Sequence, residues 1–190
     1  MANIKGVAKW AKLGIPKESY DEYNNNGNKN YVVNLYVSDG DLKKIKAELK
    51  DAYEAAKSDP KFFQKGKPVE FPGEPVLPVK SDADGKEYIA FKTKAFMKDK
   101  ETGEETQKVF PLFDKTGKVL EKSVGNGSKV NVSYSLDVYR IAKNNAGVVA
   151  YMNAILVEEL VEFGGGSAAA FGFDVEKPAD GYGFDEEVPI

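Results

Sequence analysis

The sequence contains no cysteine and no histidine. The first absence excludes disulfides, thiolate metal sites and a cysteine nucleophile. The second removes the commonest metal ligand and the side chain that exchanges protons most readily near neutral pH. An enzyme built from what remains would have to work with carboxylates, Lys, Tyr, Ser or Thr, and the residues call for no catalytic set, no metal and no cofactor. Arginine is nearly absent too, with Arg140 the one guanidinium among 27 basic residues. Lysines supply point charge without the planar fork that reads guanine edges, so these cations suit a phosphate backbone better than base-specific recognition. No apolar run reaches the roughly 18 residues of a membrane span, and Met1-Ala2-Asn3-Ile4-Lys5 lacks the apolar core of a signal peptide. A soluble, cytosolic protein is expected.

What is present divides by charge. The 190 residues, 42% of them hydrophobic, suffice for one domain with a core and appendages. Residues 1–163 hold 26 Lys/Arg and 24 Asp/Glu, a net of +2, while residues 164–190 hold one base and six acids, a net of −5; together they give the chain's −3. The second segment opens with Gly164-Gly165-Gly166-Ser167 and ends Asp185-Glu186-Glu187-Val188-Pro189-Ile190. A near-neutral body with a glycine-led acidic end suggests a nucleic-acid-binding domain over 1–163 and a flexible interaction tail over 164–190. The tail's carboxylates can compete with phosphate for a cationic groove on the body. Its tip, Val188-Pro189-Ile190 after three acids, can dock in a partner's apolar pocket beside basic residues.

Periodicity assigns the body to strands. Residues 4–13 read as a first strand, with Val7 and Ala11 set against Lys9 and with Trp10 near its end. A polar stretch over 16–30 contains the turn run Asn24-Asn25-Asn26-Gly27-Asn28. Residues 31–37 alternate, with Tyr31, Val33, Leu35 and Val37 on one face and Val32, Asn34 and Tyr36 on the other. Ser38 with Asp41 caps a helix running to about Lys57, its stripe formed by Leu42, Ile45, Leu49, Ala52, Tyr53 and Ala56. Lys43, Lys44, Lys46 and Lys50 lie on its wet face, where solubility accounts for them. Residues 60–87 hold five of the nine prolines and are expected to be irregular and to wrap the body. A third strand, 88–98, points Ile89, Phe91, Thr93, Ala95 and Met97 inward and Tyr88, Ala90, Lys92, Lys94 and Phe96 outward. A companion strand over 106–113, a period-two strand over 130–141 and a last strand over 148–163 complete the set. One helix among five or more strands, without βαβ alternation, predicts a β-rich fold. The expected architecture is a five-stranded, partly closed antiparallel barrel of the oligonucleotide-binding (OB) type, with one helix inserted after strand 2.

The outward strand faces combine rings with cations, which single-stranded nucleic acid requires: flat surfaces for bases and positive charge beside them. Tyr36 shares a face with Asn34, and Phe96 shares one with Lys92 and Lys94. Tyr139 directly precedes Arg140, and Tyr151 neighbours Asn153. For each ring the alternative is an aromatic packed beneath a loop, a tyrosine keeping its hydroxyl in water. Trp10, among Lys5, Lys9 and Lys12, reads as either core or platform. Other signals fail on spacing. Asp82-Ala83-Asp84-Gly85 lacks the further ligands of a calcium loop and reads as a hairpin turn. Gly125-Asn126-Gly127-Ser128-Lys129 and Gly117-Lys118-Val119 lack the ending of a phosphate-binding loop. The neighbours Glu158-Glu159 and Glu104-Glu105 point to opposite faces of a strand.

The run Ser128-Lys129-Val130-Asn131-Val132-Ser133-Tyr134-Ser135-Leu136-Asp137-Val138-Tyr139-Arg140 resembles the single-stranded-DNA-binding proteins of T7-like phages. So does Ile155-Leu156-Val157-Glu158-Glu159-Leu160-Val161-Glu162-Phe163-Gly164-Gly165-Gly166. Asp51-Ala52-Tyr53-Glu54-Ala55-Ala56 and Phe91-Lys92 are also similar, and the likeness spans most of residues 30–166. The resemblance implies an OB barrel with a helix after strand 2 and a disordered acidic tail. It also implies work in replication, recombination and repair of phage DNA in the cytoplasm of the infected host. The tail would contact DNA polymerase and helicase-primase and support homodimers. By position, Tyr139 and Arg140 match a Tyr-Lys pair of the DNA groove, Lys92 matches a basic groove residue, and Lys29 falls near a base in the loop before strand 2. The terminus departs from that family. It is shorter, and its Asp-Glu-Glu-Val-Pro-Ile ending is more similar to the Pro-containing tip of bacterial single-stranded-DNA-binding proteins. Three other readings stay open: a structural phage protein with no groove, an RNA-binding OB module, and an enzyme using carboxylates.

Overall fold

The computed structural model describes residues 1–13 and 30–162. In chain order these form β1 (Ala2–Lys12), β2 (Asn30–Tyr36), α1 (Asp39–Ala56), β3 (Phe63–Gln64), β4 (Lys67–Pro68), β5 (Val79–Ser81), β6 (Glu87–Lys94), β7 (Phe96–Lys98), β8 (Glu105–Gln107), β9 (Leu112–Asp114), β10 (Lys129–Ala142) and β11 (Asn145–Glu159). β1 pairs with β2 and β10, β2 with β6, and β10 with β11, all antiparallel. β6 meets β11 in parallel at Lys92 and Tyr151. The circuit β1–β2–β6–β11–β10 therefore returns to β1 and encloses a five-stranded OB barrel. β5 and β9 extend the sheet beside β6 and β11.

Alternation decides what the barrel encloses. Tyr31, Val33 and Leu35 from β2, Ile89 and Phe91 from β6, Val130, Val132 and Tyr134 from β10, and Ala150, Met152 and Ile155 from β11 are all buried. Helix α1 is placed as its signals require. The Ser38 hydroxyl accepts from the Asp41 N–H at 3.2 Å, and Ile45, Leu49, Tyr53 and Ala56 turn inward against β10 and β11. Burying each of the aliphatic pair contributes about 1.5–3 kcal/mol. The Tyr134 hydroxyl lies 2.8 Å from the Glu48 carboxylate, which ties the helix to the barrel wall. Lys46 leaves the wet face to pair with Glu87 at 2.6 Å.

The structure corrects several local expectations. In β1 the inward residues are Ile4 and Ala8. Val7, Lys9 and Ala11 share a parity, so they could not oppose one another across the strand. The third strand stops at Lys94. Ala95 is buried and the chain turns there into β7, which pairs with β8 as a separate ribbon. Met97 consequently stands 56% exposed instead of facing inward. The companion strand is likewise interrupted between β8 and β9, and β9 runs parallel to the end of β11. The proline-rich stretch wraps the body as expected, yet it also contributes a short 3-10 turn (Pro60–Phe62), β3, β4 and β5. Its bridge from Val76 to Gly147 needs glycine at that position, because a Cβ there would strike the Val76 carbonyl and lie 2.9 Å from the Tyr139 hydroxyl.

Candidate nucleic-acid interface

The register of the closed barrel sets one row of side chains across its outer surface. Lys12 stands opposite Val32, Val32 opposite Lys92, Lys92 opposite Tyr151, and Tyr151 opposite Ser135. Each has buried neighbours along its own strand, so the row faces outward by alternation. With strands about 4.8 Å apart, it spans roughly 19 Å. Asn30 pairs with Lys94 one step along. Asn153, two residues beyond Tyr151, lies 3.4 Å from the Ser135 hydroxyl. Lys94 and Asn153 also line a cleft of about 220 Å³ with Thr93, Lys108, Phe110 and Met152.

Charge on this row is unopposed. Among the described residues, Lys12, Lys92 and Lys94 have no carboxylate within ion-pair distance. Asp137, at the β10 end, is held by Lys61 at 3.0 Å. A half-buried tyrosine set between exposed lysines and uncharged amides can hold a flat ring and neighbouring anions at once.

The other sequence candidates fall in different places. Tyr139 and Arg140 lie farther along β10, about 13 Å from Ser135 by strand rise. Arg140 Nε donates to the Glu70 carbonyl at 2.8 Å, and the Glu70 carboxylate pairs with Lys143 at 2.8 Å. The proline-rich wrap is thus held against the β10–β11 hairpin through Arg140 and Lys143. Tyr36 does not stand free as a platform. It is 6% exposed, its hydroxyl donates to Asp82 at 2.9 Å, and Tyr88 and Lys9 cover its ring at 5.4 and 4.5 Å. Burial and the Asp82 carboxylate push its pKa up to about 12. The β5–β6 hairpin folds over an outward-parity residue and buries it. Phe96 is partly buried against the core. Trp10 is 65% exposed, at an irregularity in the β1–β2 pairing two residues before Lys12. Lys29 and the tail residues Asp185, Glu186, Glu187, Val188, Pro189 and Ile190 lie outside the described residues. Neither the place of Lys12 in the row nor the Lys61–Asp137 pair is visible in local sequence. Both acquire meaning only from pairing across distant segments.

Among the described residues no group of three or more acidic, His or Cys side chains could hold a metal ion, and no helix is long and apolar enough to cross a membrane. The fold and its basic, ring-bearing outer row define an OB barrel of the class that receives nucleic-acid strands across its wall. The model of the single-stranded DNA-binding protein family of bacteriophage T7 matches residues 10–160. The chain belongs to that family. It is similar to gp2.5, the single-stranded DNA-binding protein encoded by bacteriophage T7, at 25% identity and a TM-score of 0.66, covering 95% of this chain and 96% of that one. A single-stranded DNA-binding protein from bacteriophage Enc34, solved in complex with ssDNA, shares the fold at 14% identity and a TM-score of 0.52, over 86% of this chain and 89% of that one. No curated protein sequence matches.

Proposed function

We propose that the protein coats single-stranded DNA without strong sequence preference, as a non-enzymatic component of phage DNA replication, recombination and repair in the cytoplasm of the infected cell. The observation that carries this reading is the outer row in which, among the described residues, Lys12, Lys92 and Lys94 stand without a carboxylate partner beside Tyr151. Lysines replace the counterions of successive phosphates, while Tyr151 and the rings of Tyr139 and Trp10 offer faces to bases. Arg140 adds a guanidinium where the wrap meets β10. Family membership supports single-stranded DNA as the ligand.

The domain division at 163/164 belongs to the same proposal. The tail, net −5 against a body of +2, lies over the row when DNA is absent and leaves it when DNA binds. Its tip, Asp185 to Ile190, then recruits DNA polymerase and helicase-primase, and homodimers form through the same segment. The test is equilibrium binding of a labelled oligothymidine across a salt series. Affinity should fall steeply with salt, and Lys92→Ala with Lys94→Ala should lower the log–log slope by about 1.4. An RNA oligomer of equal length should bind more weakly. Absence of salt-dependent binding would remove the reading.

A further inference from the structure

Trp10 has a left-handed backbone, φ +54°, which bulky residues avoid because Cβ crowds the following carbonyl. The cause is a bulge. From Lys9 to Lys12 the strand advances three residues while its partner moves only two, from Asn34 to Val32, so one extra residue is accommodated. Specific contacts hold it there. The Trp10 N–H donates to Asn126 Oδ1 at 2.7 Å, and Ala8 exchanges backbone hydrogen bonds of 2.8 and 2.9 Å with Ser128 and Gly127. Ser128 in turn is fully buried and accepts from the Val161 N–H at 2.9 Å. Core packing does not explain the arrangement, because the indole is 65% exposed. A strained backbone that holds a large ring in solvent, two residues from a lysine with no carboxylate partner among the described residues, is characteristic of a ligand contact.

We infer that the β1 bulge, fixed by Asn126, presents Trp10 as the stacking platform for one base at the Lys12 end of the row, with Lys12 on the adjoining phosphate. The inference rests on the proposal that this face binds single-stranded DNA. It adds which base-contacting ring ends the path, and makes Asn126 its positioning residue.

Trp10 is the chain's only tryptophan, so intrinsic fluorescence of the full-length protein reports this position alone. Titration with unlabelled oligothymidine should quench it along the same isotherm as the anisotropy of a labelled oligomer. Trp10→Gly should weaken binding about 5- to 150-fold while the melting temperature stays level or rises, since glycine accepts this backbone. Trp10→Phe should keep part of the affinity. Asn126→Ala should weaken binding several-fold in the parent chain and have no further effect beside Trp10→Gly. Binding by anisotropy with unchanged fluorescence, or unchanged affinity in Trp10→Gly, overturns the platform and leaves the DNA-binding reading intact. A fall in both affinity and melting temperature in Trp10→Gly makes the residue structural and also overturns it. An equal Asn126→Ala effect in both backgrounds removes the positioning role. No anisotropy change in the parent chain defeats the DNA-binding reading itself, and the platform with it.

Discussion

Two regions of the barrel surface carry lysines in opposite electrical states. Along β1, β10, β11 and the segments flanking the last two, Lys5 pairs with Glu158, Lys129 with Glu159 and Lys122 with Glu162, all at 2.9 Å or less. Across β1, β2, β6 and β11, Lys12, Lys92 and Lys94 have no such partners among the described residues. Exposed pairs of this kind contribute only about 0–1 kcal/mol to stability, so their main consequence is local cancellation of charge. A phosphate approaching the first region must displace a carboxylate, whereas one approaching the second replaces only mobile counterions. Lysine count therefore says little about where a polyanion binds, and the distribution of carboxylates says more.

The largest test of this contrast reverses charge on each side. Lys92→Glu with Lys94→Glu should lower affinity for oligothymidine on the order of 100-fold at about 0.1 M salt. Lys5→Glu with Lys129→Glu should cost several-fold at most, measured by anisotropy. Equal losses would erase the distinction. Rings give the next comparison. Tyr151→Ala should weaken binding by about 1–3 kcal/mol. Tyr36→Phe should leave affinity unchanged and lower stability by about 1 kcal/mol through its lost hydrogen bond to Asp82, measured by denaturant titration. A smaller effect is expected from the termini. Removing residues 164–190 should raise affinity several-fold at low salt and little at high salt, and much less in the Lys92/Lys94 variant. The smallest effect is in pH. The Tyr36 hydroxyl, aided by the backbone N–H groups of Lys86 and Asp84, holds the Asp82 carboxyl below its ordinary value. A depressed folded-state pKa adds stability above the unfolded-state value and loses it as pH falls through the folded-state one. The melting temperature should fall below about pH 4, and less steeply in Asp82→Asn.

Much of the body was legible from local pattern. Ser38 and Asp41 cap α1 where expected, the stripe Ile45, Leu49, Tyr53 and Ala56 is buried, and Tyr31, Val33 and Leu35 face the core. These depend on residues within a turn or two of one another, and the chemistry of that span was on view. The failures are nonlocal. Met97 escapes the core because β6 ends at a buried Ala95 and the chain departs into another ribbon. Tyr36 has outward parity, yet a hairpin closes over it through Asp82 and Tyr88, 46 and 52 residues later.

The sequence by itself determined the single long helix and its cap, the strand character of the main barrel segments, the alternation of β2, and the charge split between residues 1–163 and 164–190. Each follows from neighbouring residues or from simple counting. Only the tertiary structure decided which cations share a face, because Lys12, Lys92 and Tyr151 meet through strand register and a single parallel closure. A one-residue slip in any of those pairings would turn a side chain from the wall into the core. The shared row is a property of the closed barrel, where segments up to about 140 residues apart fix one another's facing.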